Sequence, residues 1–219
     1  MNQRQAKIQK SRGNFTPNVI YYLSKWFVAN PLFYLYFQGR IYGKEKIPPK
    51  GPLIVVSNHA SYFDPPLLSN SIGRPVAFMA KEELFKVPML KQLISFYGAY
   101  PVNRAGADRS AIRAALKALE YSWLPGIFLG GTRTSDGRIY EPKLGAALIA
   151  AKAQVPLLPV SLWGTEKILV KDALMPQPAP ITIRIGDLIP PPVSVTREDL
   201  EIVTNQCAAA INSLHNLGR

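Results

Sequence analysis

Apolar and polar positions follow two rhythms along this chain. Short apolar or β-branched runs at 53–57, 75–80, 99–103, 126–130, 156–162 and 181–186 predict strands. Longer amphipathic stretches at 65–72, 83–96, 108–121, 143–153 and 197–215 predict helices. In 108–121, Ile112, Ala115, Leu116 and Leu119 share one face, while Arg109, Arg113, Lys117 and Glu120 lie elsewhere. Thr196-Arg197-Glu198-Asp199 resembles a capping box and opens the last helix. Pro176, Pro178, Pro180 and Pro190-Pro191-Pro192 punctuate the loops around strand 181–186. Strands alternating with helices predict an α/β fold, a layered mixed sheet flanked by helices. There is no internal repeat, low-complexity tract or second-domain linker.

The first forty residues break this pattern. Arg4, Lys7, Lys10, Arg12 and Lys25 are interspersed with Val19–Leu23, Trp26–Val28 and Leu32–Phe37, rich in aromatic and aliphatic side chains. The mixture predicts an N-terminal helical, membrane-associating segment over 1–40, lying in the headgroup region, with Pro31 dividing it in two. The other reading is a hairpin packed on the protein's own core, and one face can serve each purpose. Residues 41–219 form the remaining domain. No run approaches the roughly 20 apolar residues of a membrane-spanning helix. The polar, basic first thirteen residues argue against a signal peptide.

Composition narrows the options. At 219 residues the chain is one ordinary domain, and 47% hydrophobic residues exclude general disorder. The formal charge of +12 suits nucleic acid, anionic lipid or an acidic protein partner. No helix-turn-helix, zinc spacing or RNA-binding aromatic signature supports nucleic acid. The one cysteine, Cys207, permits no intrachain disulfide and suits a reducing compartment. It sits on the stripe Leu200, Val203, Cys207, Ile211, Leu214, which predicts a buried structural thiol. His215, near the end of that helix, is expected to face solvent and interact with the helix terminus.

Asn58-His59-Ala60-Ser61-Tyr62-Phe63-Asp64 carries the candidate chemistry. It follows the apolar strand run and precedes Pro65-Pro66. Pro65 suits the first helical position and pushes Asp64 out of the helical region, making Asp64 a natural N-cap. The turn through 58–63 can fold His59 back onto Asp64, so that the carboxylate accepts from Nδ1–H and leaves Nε2 as a base. The plainer reading leaves Asp64 a cap and His59 a surface loop residue.

Three further blocks extend the pattern. Lys81-Glu82-Glu83-Leu84-Phe85 leads to Gly98-Ala99-Tyr100-Pro101-Val102-Asn103-Arg104. Phe128-Leu129-Gly130-Gly131-Thr132-Arg133-Thr134 follows, and then Val155-Pro156-Leu157-Leu158-Pro159-Val160. With Asn58, His59 and Asp64, these blocks resemble, in order and over roughly 50–165, the 1-acylglycerol-3-phosphate acyltransferase family, the glycerolipid acyltransferases. The third block departs from the family's F-P-E-G-T-R-S, with Leu129-Gly130 in place of Pro-Glu. Gly130-Gly131 can admit a phosphate close to the backbone, Asp136 or Glu141 can replace the lost acid, or catalysis can have been lost.

The resemblance implies transfer of a fatty acyl group from a thioester to the hydroxyl of lysophosphatidic acid, giving phosphatidic acid. His59 would be the base and Asp64 would orient it. Lys81, Arg104, Gly131, Thr132 and Arg133 would bind substrate phosphate, the planar fork of Arg133 being well suited to it. The acyl thioester of coenzyme A or an acidic acyl carrier protein would be co-substrate. No other cofactor or metal is implied, and no nucleic acid partner. The expected location is the cytoplasmic face of an anionic membrane, peripheral or monotopic. Two alternatives stay open: the same chemistry on glycerol 3-phosphate or another lysolipid, and a non-catalytic lipid-binding relative.

Overall fold

A computed structural model describes residues 30–81, 100–102, 109–169 and 175–219. The helix expected at 83–96 lies outside these residues. A π-helical turn at Leu32–Tyr36 precedes strand β1, Arg40–Tyr42. Then come β2 (Ile54–Ser57), α1 (Asp64–Ile72), β3 (Val76–Lys81), β4 (Tyr100–Val102), α2 (Arg109–Glu120), β5 (Leu124–Phe128), α3 (Gly145–Ala153), β6 (Leu157–Trp163), β7 (Thr182–Ile185) and α4 (Arg197–Asn216).

Among the described residues the strands form one seven-stranded sheet in the order β1-β7-β6-β2-β5-β3-β4. All neighbours are parallel except β6 and β7. The sheet is therefore mixed and layered, as the pattern predicts. β2 is central and fully buried, which its unbroken Ile-Val-Val run requires. Ile54 and Val56 face one way, into a core shared with Ile149 of α3 and Val203, Cys207 and Ile211 of α4. Val55 faces the other way, toward Leu67 and Leu68 of α1 and Phe33 and Phe37 of the N-terminal turn.

This two-sided arrangement positions the site. β2 leads into α1 on one face, and β5 leads toward α3 on the other. The chain thus leaves the neighbouring carboxyl ends of β2 and β5 toward opposite faces of the sheet. Carboxyl ends of adjacent strands whose connections part in this way are where open α/β sheets bind ligands.

One local expectation needs correction. β5 begins at Leu124, two residues before the predicted 126–130 run, because Pro125-Gly126 reads as a turn. Pairing with β2 starts only at Gly126, so the missing N–H of Pro125 falls outside that ladder. Gly126 lets the Phe78 ring cross the strand, since a Cβ there would lie 2.5 Å from Phe78 Cε1. β1 is a three-residue edge strand, too short to register as a periodic run. Pro31 is helical (φ −57°, ψ −44°) and leads straight into the π turn; the part of the expected segment before it lies outside the described residues.

That turn bears on the N-terminal expectation. Phe33 and Phe37 are buried in the core, while Leu32, Tyr34, Leu35 and Tyr36 remain exposed. The rest of the expected membrane segment lies outside the described residues. Among the described residues, no helix is long and apolar enough to cross a membrane.

Candidate active site

β2 ends at Ser57, level with Phe128 at the end of β5. The ladder continues beyond both ends: Leu129 N–H donates to Ser57 O at 2.9 Å, and Thr134 N–H to His59 O at 2.9 Å. The His59 loop and the 129–134 loop are thereby stitched side by side at one sheet edge.

Asn58 makes the edge rigid. β2 has stopped, yet Leu162 of β6 still presents a donor and an acceptor. The Asn58 amide satisfies both, accepting from Leu162 N–H at 2.8 Å and donating Nδ2–H to Leu162 O at 2.8 Å. Nδ2 also donates to Gly137 O at 2.7 Å. One buried side chain therefore acts as an extra rung of the sheet and ties in the third-block loop.

The turn after Asn58 folds back as the first reading of the sequence expects. His59 Nδ1 lies 2.7 Å from Asp64 Oδ2. The same oxygen accepts from Ala60 N–H at 2.7 Å and Ser61 N–H at 2.8 Å. Asp64 is fully buried, whereas the His59 side chain keeps 18% exposure, enough to meet a substrate. Oδ1 of Asp64 has no hydrogen-bond partner among the described residues.

Asp64 is not the N-cap, however. It is the first residue of α1. Pro65 and Pro66 lack N–H groups, and Leu67 N–H already donates to Phe63 O. The helix start thus offers the carboxylate little to cap, and it turns back on the preceding loop instead.

Phe128 completes the imidazole's surroundings. Its ring stacks on His59 at 3.9 Å between centroids, with 11° between planes. The sequence marks Phe128 only as the first residue of the third block, because its strand position gives no hint of which loop it meets.

Arg133 lies on the adjoining loop. Its guanidinium carbon sits 3.6 Å above the Tyr62 ring, and Nη2–H donates to the Tyr62 hydroxyl at 2.9 Å. Gly131 and Thr132 precede it, both exposed. Gly131 adopts φ +75°, a conformation that favours glycine. Gly130 does not, and a Cβ there would have only Thr132 O at 3.8 Å as a neighbour. A side chain fits at 130, so sterics do not explain the missing acid.

Neither suggested replacement acid contacts Arg133 among the described residues. Asp136 accepts from the Tyr140 hydroxyl and from Arg138 N–H, and Glu141 pairs with Lys143 at 3.4 Å. The Tyr140 hydrogen bond, with that from Arg138, holds the Asp136 carboxyl below the ordinary carboxylate range.

Lys81 ends β3, a strand parallel to β5 in the same sheet, so its backbone lies toward the same edge. Arg104 lies outside the described residues. His59, Asp64, Gly131, Thr132 and Arg133 are therefore brought to one edge. No cluster of three or more His, Cys, Asp or Glu suited to a metal occurs among the described residues.

His215 overturns its expectation. It is buried, with Nε2 3.0 Å from Asp136 O and Nδ1 3.4 Å from Ser161 Oγ. A Cβ on Gly137 (φ +69°) would lie 2.8 Å from His215 Cε1, so glycine permits this close packing. α4 thereby braces the third-block loop from behind. Only the tertiary path of that loop turns the helix end inward.

The geometry is that of an α/β sheet carrying a carboxylate-oriented imidazole beside a basic loop at one edge. The chain belongs to the Acyltransferase family, whose model matches residues 38–163. It is similar to the chloroplastic 1-acyl-sn-glycerol-3-phosphate acyltransferase BAT2 of Brassica napus, with 32% identity over 64% of this chain and 42% of that protein. It is 30% identical to the 1-acyl-sn-glycerol-3-phosphate acyltransferase of Borreliella burgdorferi, over 67% of this chain and 60% of that one. Its fold matches the crystal structure of the 1-acyl-sn-glycerophosphate (LPA) acyltransferase PlsC of Thermotoga maritima. The TM-score is 0.72 at 29% identity, covering 89% of this chain and 79% of that chain. The chain thus spans about two fifths to three fifths of the length of these two curated relatives.

Proposed function

We propose that this chain transfers a fatty acyl group from an acyl thioester to the free hydroxyl of lysophosphatidic acid, giving phosphatidic acid. The observation that carries the reading is the imidazole of His59, held by Asp64 and partly exposed beside the Arg133 loop. The names of the relatives support the choice of acceptor.

A carboxylate oxygen only accepts, so the 2.7 Å contact has Nδ1–H donating to Asp64 Oδ2, and Nε2 carries the free lone pair. In the proposed reaction Nε2 takes the hydroxyl proton as the acceptor oxygen attacks the thioester carbonyl carbon. The C–S bond breaks when the tetrahedral intermediate collapses, and the imidazolium returns its proton to the departing thiolate. Asp64 stabilises the imidazolium between these steps. The thiol leaves readily enough for direct attack, so no acyl-enzyme is required. Positioned base catalysis contributes about 10²–10⁴-fold, and holding both substrates in register supplies much of the remainder.

Arg133, Lys81 and Arg104 would neutralise the acceptor phosphate, with Gly131 and Thr132 supplying further donors. The co-substrate is an acyl thioester of coenzyme A or of acyl carrier protein, and no other cofactor is needed. An anionic membrane would deliver the lipid. The exposed Leu32, Tyr34, Leu35 and Tyr36 support this, because the turn bearing them leads to Arg40. Arg40 is aligned through Thr182 with Trp163, at the edge that carries His59. The charge of +12 suits the same surface, and we assign the protein to the cytoplasmic face as a peripheral or monotopic protein.

Gly130 favours a second reading, with the same chemistry on glycerol 3-phosphate or another lysolipid. Incubating the purified protein with labelled acyl thioesters and a panel of lyso-acceptors tests both. Transfer to lysophosphatidic acid, abolished in His59→Ala, is the expected result. Transfer only to another acceptor selects the second reading. Lipid binding with no transfer to any acceptor overturns the enzyme.

A further inference from the structure

Tyr62 lies inside the first motif at a position that binds neither proton nor metal and packs into no core. The residue is 66% exposed, so core packing does not fix its ring, which instead lies under the Arg133 guanidinium. We propose that Tyr62 is a positioning residue that holds the Arg133 guanidinium ready for the acceptor's phosphate, so that the His59 loop itself sets the phosphate site.

Two rigid supports meet in this pair. On one side, Ala60 and Ser61 N–H are fixed on Asp64 Oδ2, and Phe63 N–H donates to Ser61 Oγ at 3.3 Å. Phe63 then packs against the buried core. The backbone carrying Tyr62 is thus held on both sides of it. On the other side, Thr134 N–H bonded to His59 O fixes the residue next to Arg133. The side chains close the bridge, with the guanidinium carbon 3.6 Å above the ring and Nη2–H donating to the hydroxyl.

The consequence is pre-organisation. An exposed arginine samples many rotamers and loses that freedom when it grips an anion. Stacking on an aromatic face selects one orientation beforehand, by cation–π attraction and contact. The hydroxyl engages only Nη2, and among the described residues the Nε and Nη1 donors stay available for a phosphate. Because the ring belongs to the loop that carries His59 and Asp64, it also sets the spacing between phosphate and base. A head group bound by a rigid clamp presents its hydroxyl at one distance from Nε2, whereas one held by a free side chain does not.

This inference rests on the phosphate-bearing acceptor proposed above, and the test separates the two. Binding of a short-chain lysophosphatidic acid, without acyl donor, is measured by calorimetry for the full chain and for Tyr62→Leu, Tyr62→Phe, Arg133→Gln and the Tyr62→Leu/Arg133→Gln double variant. The matching monoacylglycerol, which lacks phosphate, is titrated alongside. Tyr62→Leu is expected to weaken lysophosphatidic acid binding about threefold to tenfold. Tyr62→Phe, which keeps the stack, is expected to weaken it less. The double variant should bind no worse than Arg133→Gln alone, since Tyr62 acts through that arginine. In acyl transfer, Tyr62→Leu should raise KM for the phosphorylated acceptor more than it changes KM for the thioester.

Multiplying single effects, equal losses for monoacylglycerol, or an Arg133→Gln variant that binds as wild type each overturn the pair. Coupled binding in a protein that transfers no acyl group leaves the pair standing and removes the enzyme. Transfer with uncoupled binding does the reverse.

Discussion

Asp64→Asn separates the charge of the carboxylate from its role as an acceptor. Three donors converge on Oδ2: His59 Nδ1, Ala60 N–H and Ser61 N–H, at 2.7, 2.7 and 2.8 Å. An asparagine amide must therefore keep its oxygen there, because the flipped amide would set NH₂ against two backbone N–H groups. The imidazole consequently keeps its tautomer and direction, and only the charge facing the imidazolium is lost. Hydrogen bonds to charged groups contribute about 1.5–3 kcal/mol and neutral ones about 0.5–1.5. The difference, roughly 1–2 kcal/mol, lowers the chemical step by about 5- to 30-fold. The amide NH₂ takes the buried, unpartnered Oδ1 position, which costs stability but retains the fold. His59→Ala, which removes the base, should cost about 10²–10⁴-fold. Thiol release from an acyl thioester, dependent on added lysophosphatidic acid, measures both variants beside wild type. An Asp64→Asn variant as inactive as His59→Ala refutes the reasoning, and so does one as active as wild type.

Asn58→Ala should destabilise the chain by roughly 3 kcal/mol or more, because it strands Leu162 N–H, Leu162 O and Gly137 O in a buried environment; urea unfolding checks this. Gly130→Glu should leave the melting temperature nearly unchanged, since its Cβ has no neighbour closer than 3.8 Å, while shifting the ratio of rates among phosphorylated acceptors. Cys207, whose thiol burial pushes up to about 12, should resist alkylation at pH 8 in the native state and react once urea unfolds the chain; rapid native labelling would contradict the packing of α4.

Much of the fold was legible because its elements are long or strongly patterned. α4 begins where Thr196-Arg197-Glu198-Asp199 places it, with Thr196 Oγ1 accepting from Asp199 N–H. α2 and the strands around 54–57, 76–81, 157–163 and 182–185 follow their runs closely. The misjudged start of β5 and the missed β1 share a cause. A proline–glycine pair and a three-residue edge strand take their conformation from neighbouring strands, not from local preference.

The site divides along the same line. A histidine, a carboxylate five residues on and two prolines after it already confine His59 and Asp64 to one short turn, so their meeting was readable from local geometry. The stack of Phe128 on His59, the grip of Tyr62 on Arg133 and the inward turn of His215 were not. Each joins residues more than fifty positions apart. Chain chemistry supplies the reactive groups and the local turn that pairs them. Parallel pairing of β2 with β5, a long-range register set by the shared core, decides which loops lie side by side at the sheet edge.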